Sequence, residues 1–123
     1  KNPAVGTGNL LLTIMNYLDG KLLGAGVEID DLLIRLASNI GNLVQQPITL
    51  YLQDALQPLL IDPVDAVVSD LPVGYYPNDE NAATYELKAE EGMSYAHHLF
   101  IEQSLKHTAE GGYLFFTFVH IEM

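Results

Sequence analysis

The sequence contains no cysteine, few cations and no long apolar run. The absence of cysteine excludes a disulfide framework and any thiolate metal site, and it removes the usual sign of a secreted protein. No apolar segment approaches the roughly 20 residues that a membrane span needs, and no basic stretch followed by an apolar one stands at the start. These absences predict a cytoplasmic protein without a membrane segment.

Basic residues are scarce: 5 Lys and Arg stand against 16 Asp and Glu, which gives a formal net charge of -11. The basic residues are spread singly along the chain, at Lys1, Lys21, Arg35, Lys88 and Lys106. Nucleic acid binding by counterion release requires a basic patch. If the whole protein handles a polynucleotide, we therefore expect the basic surface to lie outside this chain.

Several catalytic arrangements are also missing. His97 and His98 are adjacent and point to different helix faces, while His107 and His120 have no partner at metal-ligand spacing. No serine stands in a nucleophile elbow, and no lysine phosphate loop is present. The sequence thus predicts no metal site and gives no support to acyl or phosphoryl transfer.

The 123 residues, 49% of them hydrophobic, fit one compact domain or a piece of one, residues 1–123. The chain opens inside a Gly-rich turn with no strand before it and stops on a strand-like run. We therefore expect a fragment of a single, larger α/β domain.

Apolar spacing predicts an alternation of helices and strands. Helical spacing covers residues 9–18, 30–47 (capped by Asp30 or Asp31 and closed by Pro47) and 93–108, and β-rich runs cover 25–29, 48–52, 65–69 and 113–119. Residues 71–92 have no sustained period and predict a long loop, and Gly111-Gly112 is expected to end the last helix. Such alternation indicates a mostly parallel sheet with helices on its faces.

Open parallel sheets bind ligands beyond the carboxyl ends of their strands, so the residues that follow each strand are the candidates. Gly6-Thr7-Gly8 precedes the first helix, where glycines let the backbone approach a ligand and the helix start offers free N–H groups. A GxG pattern by itself is weak evidence of a ligand loop, and a tight turn is the simpler explanation of these glycines. Glu28 follows about twenty residues later, where an acid can accept hydrogen bonds from ribose hydroxyls, or can simply be a solvated strand-end acid.

Two further acids end strands. Asp54 can accept a hydrogen bond from an adenine amino group, although a turn cap ahead of Leu56 is the simpler interpretation. Asp70-Leu71-Pro72 places a carboxylate beside the Leu71 carbonyl, which proline holds in an extended segment. Two fixed acceptors can orient an amine toward an electrophile. The alternative is a strand stopped by proline, with tyrosines covering the core edge.

Four segments resemble, in order, the first four motifs of class I S-adenosylmethionine-dependent methyltransferases: NPAVGTGNLL from residue 2, GVEID from 26, QDAL from 53 and SDLP from 69. SDLPVGYYP followed by SYAHHLFIEQSLKHTAEGGYLFF is similar to bacterial proteins classed as adenine-specific DNA methyltransferase-like. The resemblance covers nearly the whole chain. It implies an α/β fold, a Rossmann-like methyltransferase core with three layers and a mostly parallel sheet, truncated at both ends.

The resemblance also implies a cofactor, S-adenosylmethionine, and assigns residues to it: Asn2, Ala4, Gly6, Thr7, Gly8, Asn9, Glu28, Ile29, Asp54 and Ala55. The turn at residues 2–9 would wrap the methionine part, Glu28 would hold the ribose hydroxyls and Ile29 would pack on the adenine. Asp54 would contact the adenine amino group, with Ala55 donating from its backbone.

The catalytic residues implied by the resemblance are Asp70, Leu71, Pro72 and Tyr75. Asp70 and the Leu71 carbonyl would grip the target amine, Pro72 would keep the segment rigid, and Tyr75 or Tyr76 would stack on a planar base. The implied reaction is methyl transfer to an amino nitrogen, foremost N6 of adenine in DNA, which would be bound through parts outside this chain.

Other functions stay open at this point. The family commonly has an acid where Asn2 stands, and Leu71 and Val73 replace a proline and an aromatic residue of its amine-binding motif. These changes fit a non-catalytic cofactor-binding or regulatory descendant. RNA bases and protein amide nitrogens are alternative acceptors, and a nucleotide-binding α/β domain of another kind is the least specific interpretation. We also expect self-association, because an exposed sheet edge tends to pair with another copy.

Overall fold

A computed structural model of the chain describes residues 1–6, 8–18, 22–46, 48–59, 61–76 and 80–117. Thr7, Pro47 and residues 118–119 of the last predicted strand lie outside these ranges. The described elements are α1 (Asn9–Tyr17), β1 (Ala25–Glu28), α2 (Asp31–Leu43), β2 (Thr49–Leu52), β3 (Val64–Asp70), β4 (Tyr75–Tyr76), a 3₁₀ turn (Ala82–Thr84), β5 (Ser94–Tyr95), α3 (Ala96–Lys106) and β6 (Thr108–Thr117).

The first two residues join two parallel strand pairs into one sheet. β1 pairs with β2, and β3 pairs with β6. The Asn2 N–H donates to the Ala25 carbonyl, and the Asn2 carbonyl accepts from Val27. On the other side, the Lys1 nitrogen donates to Ala66 at 3.0 Å and the Lys1 carbonyl accepts from Val68 at 3.0 Å. The strand order is therefore β2, β1, residues 1–2, β3, β6.

Helices cover both faces of this sheet. Leu11 and Met15 of α1 belong to a buried cluster, and the partly buried Leu50 and Val68 pack against it. Tyr51, the neighbour of Leu50 in β2, instead belongs to a cluster that contains Phe100 of α3. Because successive side chains of a strand point to opposite faces, α1 and α3 lie on opposite sides of the sheet. The predicted three-layer α/β fold with a mostly parallel sheet is confirmed.

The second helix begins at the predicted cap. Asp30 has extended backbone, and its carboxylate accepts hydrogen bonds from the N–H groups of Leu32 and Leu33 at 2.9 and 3.2 Å. Of the two acids proposed as caps, Asp30 is therefore the cap. Asp31 lies in the first turn and forms an ion pair with Arg35, one turn later.

The boundary between α3 and β6 differs from the prediction. The helix ends at Lys106, and the strand begins at Thr108 and runs through Gly111 and Gly112. Val64 is in register with Thr108 but Ala66 is in register with Tyr113, so a bulge takes up the extra residues. A Cβ on Gly112 would lie 2.7 Å from the Asp65 carbonyl oxygen. The glycines therefore serve the bulge and not a helix end.

The stretch predicted as a long loop, residues 71–92, contains β4, which forms a hairpin with β5 at the start of the predicted last helix. β4 and β5 pair antiparallel, with Tyr75 opposite Tyr95 and Tyr76 opposite Ser94. The Ala96 N–H donates to the Gly74 carbonyl at 3.0 Å and anchors the hairpin to the start of α3. Much of the segment after the predicted fourth strand is thus held in place.

Gly26 lies where β1 meets the N-terminal turn, and we expect Gly26→Ala to destabilise the protein. A Cβ at this position would lie 2.7 Å from the Cβ and Cγ2 atoms of buried Val5. Overpacking of this kind costs about 1–3 kcal/mol. Thermal unfolding would measure the cost. The double variant Val5→Ala/Gly26→Ala should lose less than the sum of the single losses, because alanine at position 5 removes the two γ carbons and leaves only the Cβ contact. Strict additivity would contradict this packing.

Glu102 of α3 anchors the segment that follows the 3₁₀ turn. Its carboxylate accepts from the N–H groups of Glu86 and Leu87 at 3.0 and 2.7 Å and pairs with Lys106 at 3.0 Å. Burial raises the pKa of Glu102, but the Leu87 N–H, Lys106 and the Glu86 N–H together outweigh it, so the net pKa lies below the usual 4.5.

We therefore expect Glu102→Gln to lower the free energy of unfolding by about 1–3 kcal/mol at neutral pH, since one part-buried N–H loses its charged acceptor. A depressed folded-state pKa contributes stability that is complete above the unfolded value and lost as pH falls through the folded value. The difference between variant and wild type should thus shrink below pH 4.5. Denaturant titrations across that range test this, with exposed Glu90→Gln as the control. A difference that stays constant into acid would contradict the assignment.

Candidate functional site

A cleft of about 310 Å³ opens at the carboxyl ends of the strands. Its lining comes from segments that directly follow residues 1–2, β1, β2 and β3, and from the hairpin and α3: Pro3, Ala4, Glu28, Ile29, Gln53, Asp54, Ala55, Pro72, Val73, Tyr75, Tyr76, Ala96 and Phe100. This edge is where parallel α/β sheets bind ligands. The cleft brings together five of the predicted cofactor residues and two of the predicted catalytic ones.

Glu28 connects the N-terminal turn to the start of α2. Its Oε1 accepts from the Gly6 N–H at 3.0 Å, and its Oε2 accepts from the Asp30 N–H at 2.8 Å. An ionised carboxylate has about four lone-pair sites. Glu28 can therefore hold the turn in place and still accept hydrogen bonds from a ligand in the cleft.

The N-terminal turn is built by its own side chains and glycines. Asn2 is 1% exposed, and its Oδ1 accepts from the Ala4 N–H at 3.0 Å. Gly6 and Gly8 have φ of 56° and 85°, in the left-handed region that favours glycine. A Cβ on Gly8 would lie 3.3 Å from the Ala37 Cβ of α2. The tight-turn interpretation of the glycines thus fits, and Asn2 acts within the turn.

The predicted turn residues are not all at the cleft. Ala4 lines it, and Gly6 reaches it through Glu28. Gly8 is buried against α2, and Asn9 is exposed and lines a separate groove with Leu12 and Ile40. Thr7 lies outside the described residues.

Asp54 has two partners on different segments. Its Oδ1 accepts from the Leu56 N–H at 2.9 Å, as expected of a turn cap, and its Oδ2 accepts from the Tyr76 hydroxyl. The adjoining Ala55 carbonyl accepts from the Gln103 Nε2 at 2.9 Å. The Asp54 carboxylate therefore caps the turn, and Asp54 also lines the cleft. Ile29, across the cleft, is 68% exposed and offers an apolar surface.

The Asp70-Leu71 pair is fixed by β6. The Thr117 hydroxyl donates to Asp70 Oδ1 at 2.9 Å, and the Leu71 N–H donates to the Thr117 carbonyl at 2.7 Å. Asp70 is exposed and Leu71 is buried. Among the described residues that line the cleft, this segment contributes Pro72 and Val73 but not Asp70 or Leu71. The two predicted amine acceptors therefore lie at the margin of the cleft.

A group of aromatic rings borders the cleft next to Pro72. Tyr75 is 58% exposed and stacks on Tyr95 with ring centroids 5.2 Å apart. His98 lies edge-on to Tyr95 at 5.3 Å, and His97 and His98 are 4.5 Å apart. A hydrogen bond to Tyr95 raises the pKa of Tyr75, and burial together with His98 lowers the pKa of His97. The two histidines thus contact Tyr95, which stacks on the cleft-lining Tyr75.

Sequence reasoning missed several residues here. Gln53, Ala96, Phe100 and Tyr95 had no assigned role, and they lie in or beside the cleft. The position of Tyr95 follows from its pairing with Tyr75 in the hairpin, which the sequence pattern does not reveal. Gln53 precedes Asp54 at the end of a predicted strand, and that position alone could have identified it.

The described residues contain no group of three or more acids and histidines able to hold a metal ion. None of the described helices is long and apolar enough to cross a membrane.

The strand order, the helices on both faces and the cleft at the carboxyl edge together define the Rossmann-like core of the class I methyltransferase fold. A candidate class I S-adenosylmethionine-dependent methyltransferase from Listeria monocytogenes is 57% identical to the chain and superposes with a TM-score of 0.89, over 94% of this chain and 37% of that protein. The Bacillus subtilis (strain 168) protein YtxK, which is uncharacterized, is 60% identical over 116 residues, 94% of this chain and 35% of its own length.

More distant likenesses show the fold alone. The PH0226 protein of Pyrococcus horikoshii OT3 is 17% identical, with a TM-score of 0.62 over 94% of this chain and 47% of that one. The [4+2]-cyclase SpnF is 16% identical, with a TM-score of 0.51 over 58% of this chain and 26% of that one. No family profile matches the chain. The chain spans about a third of the length of its two most similar relatives named here.

Proposed function

We propose that the chain is the cofactor-binding core of an S-adenosylmethionine-dependent methyltransferase that acts on an amino nitrogen, with N6 of adenine in DNA as its foremost acceptor. The observation that carries the proposal is the convergence of Glu28, Asp54 and the segment after Asp70 on one cleft. Each of them lies at or just after the carboxyl end of a different strand, β1, β2 or β3. The similarity to the Listeria methyltransferase candidate supports the same class of activity.

The residues of the cleft fit a nucleoside cofactor. The cleft has a volume of about 310 Å³, which is within the usual range of ligand pockets. Glu28 offers carboxylate lone pairs for the ribose hydroxyls, Asp54 offers them for the adenine amino group, and Ile29 offers an apolar surface for the ring. Ala4 places the N-terminal turn beside them. When bound, S-adenosylmethionine would supply an electrophilic methyl group on its sulfonium.

Asp70 and Leu71 are the residues we assign to the acceptor amine. The Thr117 hydroxyl fixes Oδ1 of Asp70, and Oδ2 accepts no hydrogen bond from the described part of the chain, so it can accept from the amine. The Leu71 N–H bond to Thr117 fixes the adjoining peptide, and Pro72 limits its backbone freedom. Together they would orient the nitrogen lone pair toward the methyl carbon. Asp70 can also take the proton that the nitrogen loses once the C–N bond has formed.

The border of aromatic rings supports a planar acceptor. Tyr75 and Tyr95 present exposed rings beside Pro72, and stacking on such rings does not require a positive surface. This suits a segment with a formal net charge of -11. The phosphate backbone of DNA would be bound by parts of the protein outside this chain.

The alternative is a cofactor-binding module without catalytic activity. Leu71 and Val73 depart from the amine-binding motif of the resembled family, and the neutral Asn2 amide is occupied within the turn by the Ala4 N–H. The likeness to a [4+2]-cyclase also shows that this fold serves other chemistry.

Cytoplasmic location and self-association belong to the same proposal. The exposed side chains of Tyr113 and Phe115 on β6 give the sheet an apolar surface near its outer strand. A monomeric sedimentation mass at tens of micromolar would contradict the pairing of copies.

Methyl-label transfer by the full-length protein tests the proposal. Labelled S-adenosylmethionine is incubated with adenine-containing DNA, with RNA and with protein, and cofactor binding is titrated in parallel. Transfer to DNA adenine supports the foremost acceptor, and transfer only to RNA or protein replaces it. Binding without transfer to any acceptor favours the non-catalytic module. Absence of binding would refute the proposed class.

A further inference from the structure

Tyr76 physically connects the two parts of the cleft. Its hydroxyl donates to Oδ2 of Asp54, which follows β2. Its backbone belongs to β4, which starts a few residues after Asp70 and pairs with Ser94 of β5. Its ring is half-buried and packs against a core cluster that contains Leu56 and Leu99. A single side chain therefore links the adenine end of the cleft to the β4–β5 hairpin.

The Tyr76 hydroxyl also determines how the Asp54 carboxylate is oriented. The Leu56 N–H holds Oδ1 at 2.9 Å, and the Tyr76 hydroxyl holds Oδ2. With both contacts present, the carboxylate cannot rotate about its Cβ–Cγ bond without breaking one of them. The hairpin must be closed on the cleft for the second contact to exist. The Tyr76 hydroxyl thus ties the orientation of the Asp54 carboxylate to the position of β4.

We propose that Tyr76 is a positioning residue. It couples the binding of a purine amino group to Asp54 with closure of the β4–β5 hairpin on the cleft. The inference rests on the proposed function, because it requires an adenine-bearing ligand in the cleft. An amino group binds more tightly when Asp54 is held in its accepting orientation. By linkage, a ligand that prefers the closed hairpin also stabilises it. Occupancy of the cofactor site thereby orders the segment that borders the acceptor site.

The neighbouring tyrosine provides a matched control. Tyr75 precedes Tyr76 in β4 and so points to the opposite side of the strand. It stacks on Tyr95 at 5.2 Å. Replacing either tyrosine with phenylalanine removes one hydroxyl and keeps the ring. Tyr76→Phe removes the contact with Asp54, whereas Tyr75→Phe removes a hydrogen bond to Tyr95 within the hairpin and so controls for general loosening of β4 and β5.

Hydrogen exchange of the full-length protein, read by mass spectrometry, tests the coupling. Peptides covering β4 and β5 are followed with and without saturating S-adenosylhomocysteine, in wild type, Tyr76→Phe and Tyr75→Phe. We expect the ligand to slow exchange in these peptides about 5-fold or more in wild type and Tyr75→Phe, and less than about twofold in Tyr76→Phe. S-inosylhomocysteine, which carries a carbonyl oxygen in place of the amino group, should give little slowing in wild type. Exchange in α2 and β1 of the ligand-free variants that matches ligand-free wild type confirms that the variants are folded.

The possible failures are distinguishable. Full slowing in saturated Tyr76→Phe would overturn the inference, as would equal slowing by the inosine analogue in wild type. Binding of S-adenosylhomocysteine to wild type with no slowing would overturn the inference and leave the proposed function standing. Absence of binding to wild type would refute both.

Discussion

Asp70→Ala is expected to reduce methyl transfer by about 10²–10³-fold and to change cofactor affinity less than about twofold. The substitution removes the carboxylate that Thr117 holds at the end of β3, and with it one of the two acceptors for the target amine. Asp70 is exposed and its side chain makes one hydrogen bond within the described part of the chain, so the fold should persist with a loss on the order of 1 kcal/mol. Single-turnover rates with saturating labelled cofactor measure the effect.

Two companion variants sharpen this test. Asp70→Asn keeps one oxygen acceptor and should recover part of the activity lost in Asp70→Ala. Asp65→Asn changes an exposed acid on the same strand, away from its carboxyl end, and should leave the rate unchanged. An Asp70→Ala protein with wild-type transfer would refute the assignment of Asp70 to the acceptor amine.

Glu28→Ala is expected to weaken cofactor binding by about 10- to 100-fold, because hydrogen bonds to a charged group contribute about 1.5–3 kcal/mol. The same change leaves the N–H groups of Gly6 and Asp30 without their acceptor. A fall in thermal stability should therefore accompany the loss of affinity. Calorimetric titration with S-adenosylhomocysteine gives the first quantity and thermal unfolding gives the second. Exposed Asp62→Ala is the matched control.

A ribose-modified ligand distinguishes a direct contact between Glu28 and the ribose from an indirect effect of a loosened N-terminal turn. The 2′-deoxy form of S-adenosylhomocysteine should bind wild type more weakly than the parent ligand does. In Glu28→Gln the difference in affinity between the two ligands should be smaller, because the contact that distinguishes them is weakened. If the deoxy form loses the same factor in both proteins, Glu28 acts only through the turn and does not contact the ribose.

Local patterns were sufficient for the framework of the fold. Apolar spacing located α1, α2 and the parallel strands, and Asp30 was among the two predicted caps of α2. The ends of the strands in turn indicated Glu28 and Asp54, which the structure brings to one cleft. These predictions succeeded because periodicity and capping depend on residues a few positions apart.

Features that depend on distant partners could not be predicted in this way. The strands β4 and β5 have two residues each, too few to show a period, and their pairing determines the position of Tyr95. Gly111-Gly112 has the composition of a helix end but serves a bulge, because the strand opposite it determines the register. The contacts of Tyr76 with Asp54 and of Gln103 with Ala55 join residues 22 and 48 positions apart. No local pattern marks such pairs.

We propose above all that the cleft at the carboxyl ends of the strands binds S-adenosylmethionine. A crystal structure of the full-length protein grown with S-adenosylhomocysteine tests it most directly. We predict density in the cleft, with the ribose hydroxyls on Glu28, the adenine beside Ile29 and its amino group on Asp54. Ligand density at another place in the protein, or an empty cleft at saturating ligand, would contradict the claim.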